Sequence, residues 1–152
     1  MIKIIDFQNT RLVLELFKLQ KASYLVEANL IRFFDIPPLK ESLEELKECG
    51  ETFLGYFEGE DLAGALAYKI ENKELAICRM VVHPKHFRKG FAQKLLSALE
   101  EIHPEITVLK VSTGKDNTPA KRLYLKNGFR LARNVEVVPG LFISLFEKER
   151  KN

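Results

Sequence analysis

The spacing of apolar positions changes several times along the chain, and each change predicts an element. "MIKIIDF" alternates and is rich in β-branched residues, as a short strand is. From Thr10 to about Phe34 the period lengthens, with Leu12, Leu16, Leu19, Leu25 and Leu30 at roughly helical spacing. "DIPPL" should stop that helix, because a proline has no amide hydrogen and its ring clashes with the preceding turn. In "SLEELKEC", Ser42 and Glu45 fit a capping box and Gly50 fits the end of a short helix.

Residues 51–84 change to strand-like runs separated by the short polar stretches "EGED" and "ENKE", which predicts a three-stranded antiparallel meander closed by Pro84. Residues 90–102 are helical again, with Phe91, Leu95, Leu99 and Ile102 as one apolar stripe and Pro104 after it. "TVLKVST" follows as a strand. In "TPAKRLYLKNGF", Thr118 is the expected N-cap, Pro119 the first helical residue and Gly128 the left-handed cap at the far end. Two strands, about 130–138 and 141–148, meet at Pro139-Gly140. The order is β-α-α-β-β-β-α-β-α-β-β. The strand near 75–82, the helix after it and the strand near 106–113 form a parallel β-α-β unit with a right-handed crossover. The fold class is therefore α/β (α+β): a mixed, mostly antiparallel sheet with a central parallel pair and helices on both faces.

At 152 residues and 46% hydrophobic composition, the chain suits one domain with one core, 1–152. A net charge of +3 is too small to argue for nucleic acid or membrane partners. No stretch approaches the roughly 20 apolar residues that span a bilayer. The two cysteines, Cys49 and Cys78, with no export pattern at Met1, point to reduced thiols in the cytoplasm. His83, His86 and His103 are scattered, and no metal site is expected. Cys78 reads as a buried strand residue.

The chemistry concentrates at "HFRKGFAQKLL", which leaves a strand and opens a helix. The first N–H groups of a helix lack internal partners and carry partial positive charge. Gly90 admits a close approach, Ala92 adds little bulk, and Arg88 and Lys89 supply charge, so Phe87 to Ala92 suits a phosphate or pyrophosphate. A plain basic helix start fits the same residues.

"RMVVHPKHFRKGFAQKLL" resembles the acetyl-CoA-binding segment of the GNAT superfamily of N-acetyltransferases. There a strand leads into Val-x-Pro, then Arg/Gln-x-x-Gly-x-Gly/Ala, then a helix. Val82, His83, Pro84, Gly90 and Ala92 fit; Phe87 stands where the family has Arg or Gln, and Arg88 follows one place later. "DNTPAKRLYLKNGF" is similar to the family's Asn-x-x-Ala-x-x-Leu-Tyr-x-x-x-Gly-Phe helix, with Asn117, Ala120, Leu123, Tyr124, Gly128 and Phe129 in register.

The resemblance implies direct acetyl transfer from acetyl-CoA, as cosubstrate, to an amine of a small molecule or protein. It implies a pantetheine arm along Met80, Val81 and Val82 and a pyrophosphate on the N–H groups of Phe87, Arg88, Lys89, Gly90, Phe91 and Ala92. It places an N–H near Met80 at the thioester oxygen, Asn117 and Ala120 beside the CoA arm, and Tyr124 as proton donor to the leaving thiolate. Some relatives carry a glutamate base on the strand before the pyrophosphate loop. Here the nearest matching position is Ala76, with Glu71 and Glu74 earlier and Arg79 on the strand. Glu27, in "YLVEANLIRFFDIPPL", is the remaining candidate base, beside a water chain to bulk; residues 24–39 are expected to line the acceptor cleft. Dimers are common in that family, which leaves a homodimer open. A module of the same fold that binds CoA or protein without transfer is the alternative.

Overall fold

A computed structural model describes residues 1–151. The elements are β1 (Ile2–Ile4), α1 (Thr10–Ile31), α2 (Pro37–Lys40), α3 (Leu43–Lys47), β2 (Thr52–Glu58), β3 (Asp61–Glu71), β4 (Glu74–Val82), a 3-10 turn at Pro84–His86, α4 (Phe91–Ile102), β5 (Val108–Gly114), α5 (Thr118–Lys126), β6 (Arg130–Val138) and β7 (Leu141–Glu149). They build one seven-stranded sheet of order β1-β2-β3-β4-β5-β7-β6. Every neighbouring pair is antiparallel except β4–β5, which is parallel.

Each face of the sheet carries its own apolar layer. Val13, Leu16, Leu19 and Ala28 of α1 pack with Phe53, Ala65, Ala67 and Val81 on one face. Leu95, Leu96 and Leu99 of α4 and Tyr124 of α5 pack with Leu66, Ile77, Leu109 and Phe146 on the other. β3 lies between them and is buried continuously from Leu62 to Tyr68, as a strand covered on both faces must be.

Several local expectations are corrected. The buried stripe of α1 runs through Val13, Leu16, Leu19, Gln20, Tyr24 and Ala28, whereas Leu25 and Leu30 are exposed. The helix turns Tyr24 and Ala28 to the sheet, so the leucines beside them face outward. In α4, Leu96 is buried and Ile102 is exposed. The two prolines do not merely break α1: they occupy the first turn of α2, where a missing N–H costs no hydrogen bond. The N-cap of α5 is Asn117, not Thr118; its Oδ1 accepts from Ala120 N at 3.3 Å. That cap moves Pro119 to the second helical position. Cys78 is exposed, not buried.

Two features open the sheet where a ligand would enter. The β4–β5 ladder runs only from Glu74–Val108 to Ile77–Val111, although β4 continues to Val82 and β5 to Gly114. At the same point β4 bulges: Ala67 pairs with Arg79 and Tyr68 with Ile77, leaving Cys78 as the extra residue. The bulge puts Ile77 and Met80, three apart, against the same apolar layer. Above the split, α1 leans onto β5. A Cβ on Gly114 would lie 3.0 Å from Ile31 Cγ2, so glycine permits that approach.

Candidate active site

The edge of β4 past the bulge is half free. His83 N–H donates to Ala63 O on β3 at 2.9 Å. Val82 N–H points the other way, to Ser23 Oγ of α1 at 3.4 Å. Backbone groups of a strand alternate sides, so Met80 shares the outward side with Val82. Among the described residues, nothing accepts from Met80 N–H on that side. Val81 faces β3, where its carbonyl oxygen would lie 3.1 Å from a Cβ on Gly64, and its side chain is in the core. Of the three strand residues, Met80 and Val82 thus present backbone groups to the gap, and Val81 does not.

At the end of β4 the chain enters the loop. Arg88 and Gly90 are left-handed, at φ 66° and 80°, and Gly90 is the N-cap of α4. A Cβ at Gly90 would meet nothing within 4 Å, so the loop is open above this residue. Phe87 N–H turns inward to Pro84 O at 3.2 Å. The N–H groups from Arg88 to Gln93 find no acceptor among the described residues; Lys94 N is the first to do so, on Gly90 O at 3.1 Å. Successive N–H groups in this arrangement form a concave anion cradle at a helix start. The Phe91 side chain is buried and stacks on Tyr56, with centroids 4.1 Å apart, so it anchors the cradle through packing and contributes only its N–H. Arg88 is exposed, and Lys89 lies 3.9 Å from Glu58.

Beside the split, α1 and α5 meet. Glu27 Oε1 accepts from Asn117 Nδ2 at 3.0 Å. Burial pushes the Glu27 carboxyl above the ordinary carboxylate range, against hydrogen bonds from Asn117 and Thr113 that lower it. Tyr124 is buried against Phe129 and Phe146. Burial first, then the Glu27 charge, raise its phenol well above the ordinary value, so the hydroxyl keeps its proton. Tyr24 is also buried and raised by burial; Arg79 opposes that shift, and Glu27 and Tyr124 reinforce it. Neither tyrosine hydroxyl has a hydrogen-bond partner among the described residues, and no side-chain oxygen there is both sealed from solvent and unbonded. Both hydroxyls therefore reach accessible space.

Sequence patterns thus single out Tyr124 and Asn117 in one stretch and Glu27 in another, and the fold brings the two stretches together. Asn117 uses its amide to cap α5 and hold Glu27. Ala120, one turn before Tyr124, packs at the edge of the same apolar layer as Met80. Tyr24, Thr113 and Ser23 were missed as individual site residues. Only contacts between distant elements mark them. Cys78 is unsuited to nucleophilic attack: although the residue is exposed, partial desolvation of its sulfur and the nearby Glu51 charge raise the thiol and disfavour the thiolate.

A cavity of about 530 Å³ opens on the other side of the bulge, lined by Tyr24 and Arg79 and by residues of α2 and its flanks. Arg79 is held by Glu41 at 2.7 and 2.9 Å, by Glu51 at 2.8 and 3.2 Å and by Gln20 Oε1 at 2.9 Å. This network ties α1, the residue after α2 and the start of β2 to β4.

The sequence model of the acetyltransferase (GNAT) family matches residues 13–129. The chain is 34% identical over 146 residues, 96% of its length, to UPF0157 protein YqkA of Bacillus subtilis (strain 168), and spans 43% of that relative. Its fold is similar to the PaiA N-acetyltransferase of Thermoplasma acidophilum in complex with coenzyme A, at TM-score 0.79, 20% identity and 99% of both chains. It is also similar to the ribosomal-protein-S18-alanine N-acetyltransferase of Escherichia coli, at TM-score 0.76 and 14% identity over 98% of this chain and 94% of that one.

Proposed function

The chain belongs to the acetyltransferase (GNAT) family, and from that premise we propose that it moves an acetyl group from acetyl-CoA directly to an amine. The observation that carries this reading is the coincidence of three things at the β4–β5 split: a free Met80 N–H, a protonated Tyr124 and a raised Glu27 carboxyl. The residues fit the cosubstrate. Met80 and Val82 offer an unladdered edge on which an extended arm can pair through backbone groups. The loop from Arg88 to Gln93 offers unpaired N–H groups to a pyrophosphate.

Acetyl-CoA supplies the activated acyl group; the chain supplies position and proton handling. Met80 N–H donates to the thioester oxygen, where negative charge develops as the amine attacks. Glu27 takes a proton from the arriving ammonium, since a raised carboxyl is a better base near neutral pH. The N–C bond forms as the C–S bond breaks, Tyr124 gives its proton to the departing sulfur, and the second proton that the nitrogen sheds on becoming an amide restores the Tyr124 hydroxyl. Asn117 positions Glu27 for its part.

The test is release of free thiol from acetyl-CoA in the presence of an amine panel, with Tyr124→Phe alongside. Amine-dependent release that falls in the variant supports transfer. CoA binding with no amine-dependent release from any acceptor would favour the binding-module alternative.

A further inference from the structure

The cavity beyond the bulge has a composition that transfer to a generic amine does not require. Its wall carries four carboxylates, Asp35, Glu41, Glu45 and Glu51, against two cations, Lys40 and Arg79. Lys40 pairs with Asp35, and the one guanidinium of Arg79 is shared by Glu41 and Glu51. Glu45 accepts from Ser42 N at 2.9 Å through one oxygen and, among the described residues, makes no ion pair, with Lys21 acting on it only through its nearby charge. Lys21, outside the lining, donates its three N–H bonds to the carbonyls of Pro38, Leu39 and Glu41. A wall with more anions than cations favours a cationic occupant.

A second observation is independent of charge. Tyr24 lines the same cavity, is only 8% exposed, and its hydroxyl has no hydrogen-bond partner among the described residues. The ring is packed away while the hydroxyl, free of any protein partner, still reaches accessible space, so it is open to a hydrogen bond from a ligand. Tyr24, one turn before Ala28 on α1, lines the cavity and lies close enough to Glu27 to feel its charge, which links the cavity to the reacting groups.

We infer that this cavity holds the far end of a doubly charged acceptor: an aliphatic diamine or polyamine whose near nitrogen is acetylated. The inference rests on the acetyl-transfer reading. The near ammonium gives one proton to Glu27 and forms the N–C bond as the C–S bond breaks, Tyr124 protonates the sulfur and recovers a proton from the new amide nitrogen, and Tyr24 accepts or donates a hydrogen bond beside it. The far ammonium keeps its proton and is held by Glu45 and Asp35. At about 530 Å³ the cavity suits a small ligand.

Thiol release is measured with butylamine, 1,4-diaminobutane and spermidine, and with an amino-acid amide and a short peptide. The diamine or spermidine should exceed butylamine in kcat/KM by about tenfold or more, and the advantage should shrink as salt is added. The double variant Asp35→Asn with Glu45→Gln removes two exposed charges. Glutamine still satisfies the Ser42 capping box, so α3 is retained. The variant should raise KM for the diamine about tenfold while butylamine stays within about twofold. Butylamine or the peptide used as well as the diamine would overturn the inference and leave transfer standing. CoA-dependent stabilisation with no turnover of any polyamine would overturn it as well. If CoA neither binds nor is consumed, the transferase reading fails first.

Discussion

At the residue scale, the proposed reaction divides between two groups that burial pushes in the same direction but that would act oppositely. Tyr124 stays a neutral phenol throughout the physiological range. Tyr124→Phe keeps the ring against Phe129 and Phe146, so the fold and CoA affinity should hold. General acid assistance is worth roughly 10²–10⁴-fold, and water can replace part of it, so kcat should fall by about tenfold or more. Unchanged turnover would reduce Tyr124 to a packing residue. Glu27 must be ionised to act, so activity should fall as pH drops through its raised pKa, and Glu27→Gln should lower turnover and abolish that acid limb. Stability carries the opposite sign from a salt-bridged carboxylate. Because the folded pKa lies above the unfolded one, the native state binds more protons between the two, and Glu27 becomes destabilising as pH rises through that window. Glu27→Gln should therefore raise the urea midpoint at pH 8 relative to wild type, with the gain disappearing near pH 4. A loss at pH 8 would show that ionised Glu27 is structurally required. Tyr124 and Glu27 could be named from sequence because one sits in a motif and the other in a stretch that the family resemblance expects to line the acceptor cleft. Asn117 could be named but not understood: its contact with Glu27 crosses ninety residues of chain. Tyr24 gave no local signal beyond an aromatic at helical spacing.

At the element scale, β4 is the part whose consequences sequence could not reach. Its apolar run predicts a strand, but periodicity does not show where a bulge falls, and the bulge at Cys78 decides which backbone groups face the gap. Amide exchange should resolve the alternation. Met80 N–H should exchange fast in the free protein and slow with acetyl-CoA, while Val81 and His83 should be slow in both. Fast exchange at Val81 and protection at Met80 in the free protein would reverse the assignment of the free edge. Helix α1 shows a similar limit: leucines mark an amphipathic helix, but tertiary packing chose Tyr24 and Ala28 over Leu25 and Leu30 as the buried face. Helix ends were more legible, because caps are local. Ser42 and Glu45 make both capping-box bonds, at 3.1 and 2.9 Å. Gly128 N and Phe129 N close α5 on Leu125 O and Tyr124 O, the double bond of a left-handed glycine end. Arg79 was visible as a charge on a strand and nothing more. Its removal, as Arg79→Met, leaves Glu41 and Glu51 facing one another without a cation, and a broken buried pair costs about 3–5 kcal/mol. A loss below 1 kcal/mol in denaturant titration would place the network among exposed pairs.

At the scale of the whole molecule, the sheet consists of two antiparallel blocks, β1 to β4 and β5 to β7, joined by a ladder of four residue pairs. A ligand that pairs with β4 inside the split and rests on the start of α4 binds only when both blocks are in place, and so binds only the folded chain. At one hundred times its dissociation constant such a ligand adds about 2.7 kcal/mol. In a chain of this size each kcal/mol is worth about 2–4 °C, so CoA should raise Tm by roughly 5–10 °C. Substitutions at Gly90 separate the loop's conformation from its ligand. At φ 80° any side chain is strained, so Gly90→Ala and Gly90→Glu should both lower the Tm of the free protein. Space is open at that Cβ, so alanine should keep much of the CoA-induced rise. Glutamate adds a negative charge where the pyrophosphate approaches and should abolish it. Read as the difference between bound and free Tm, the comparison is blind to the strain that the two variants share. A full rise in Gly90→Glu would move the pyrophosphate off this loop. No rise in the wild-type protein at millimolar CoA would remove the cosubstrate from the fold altogether.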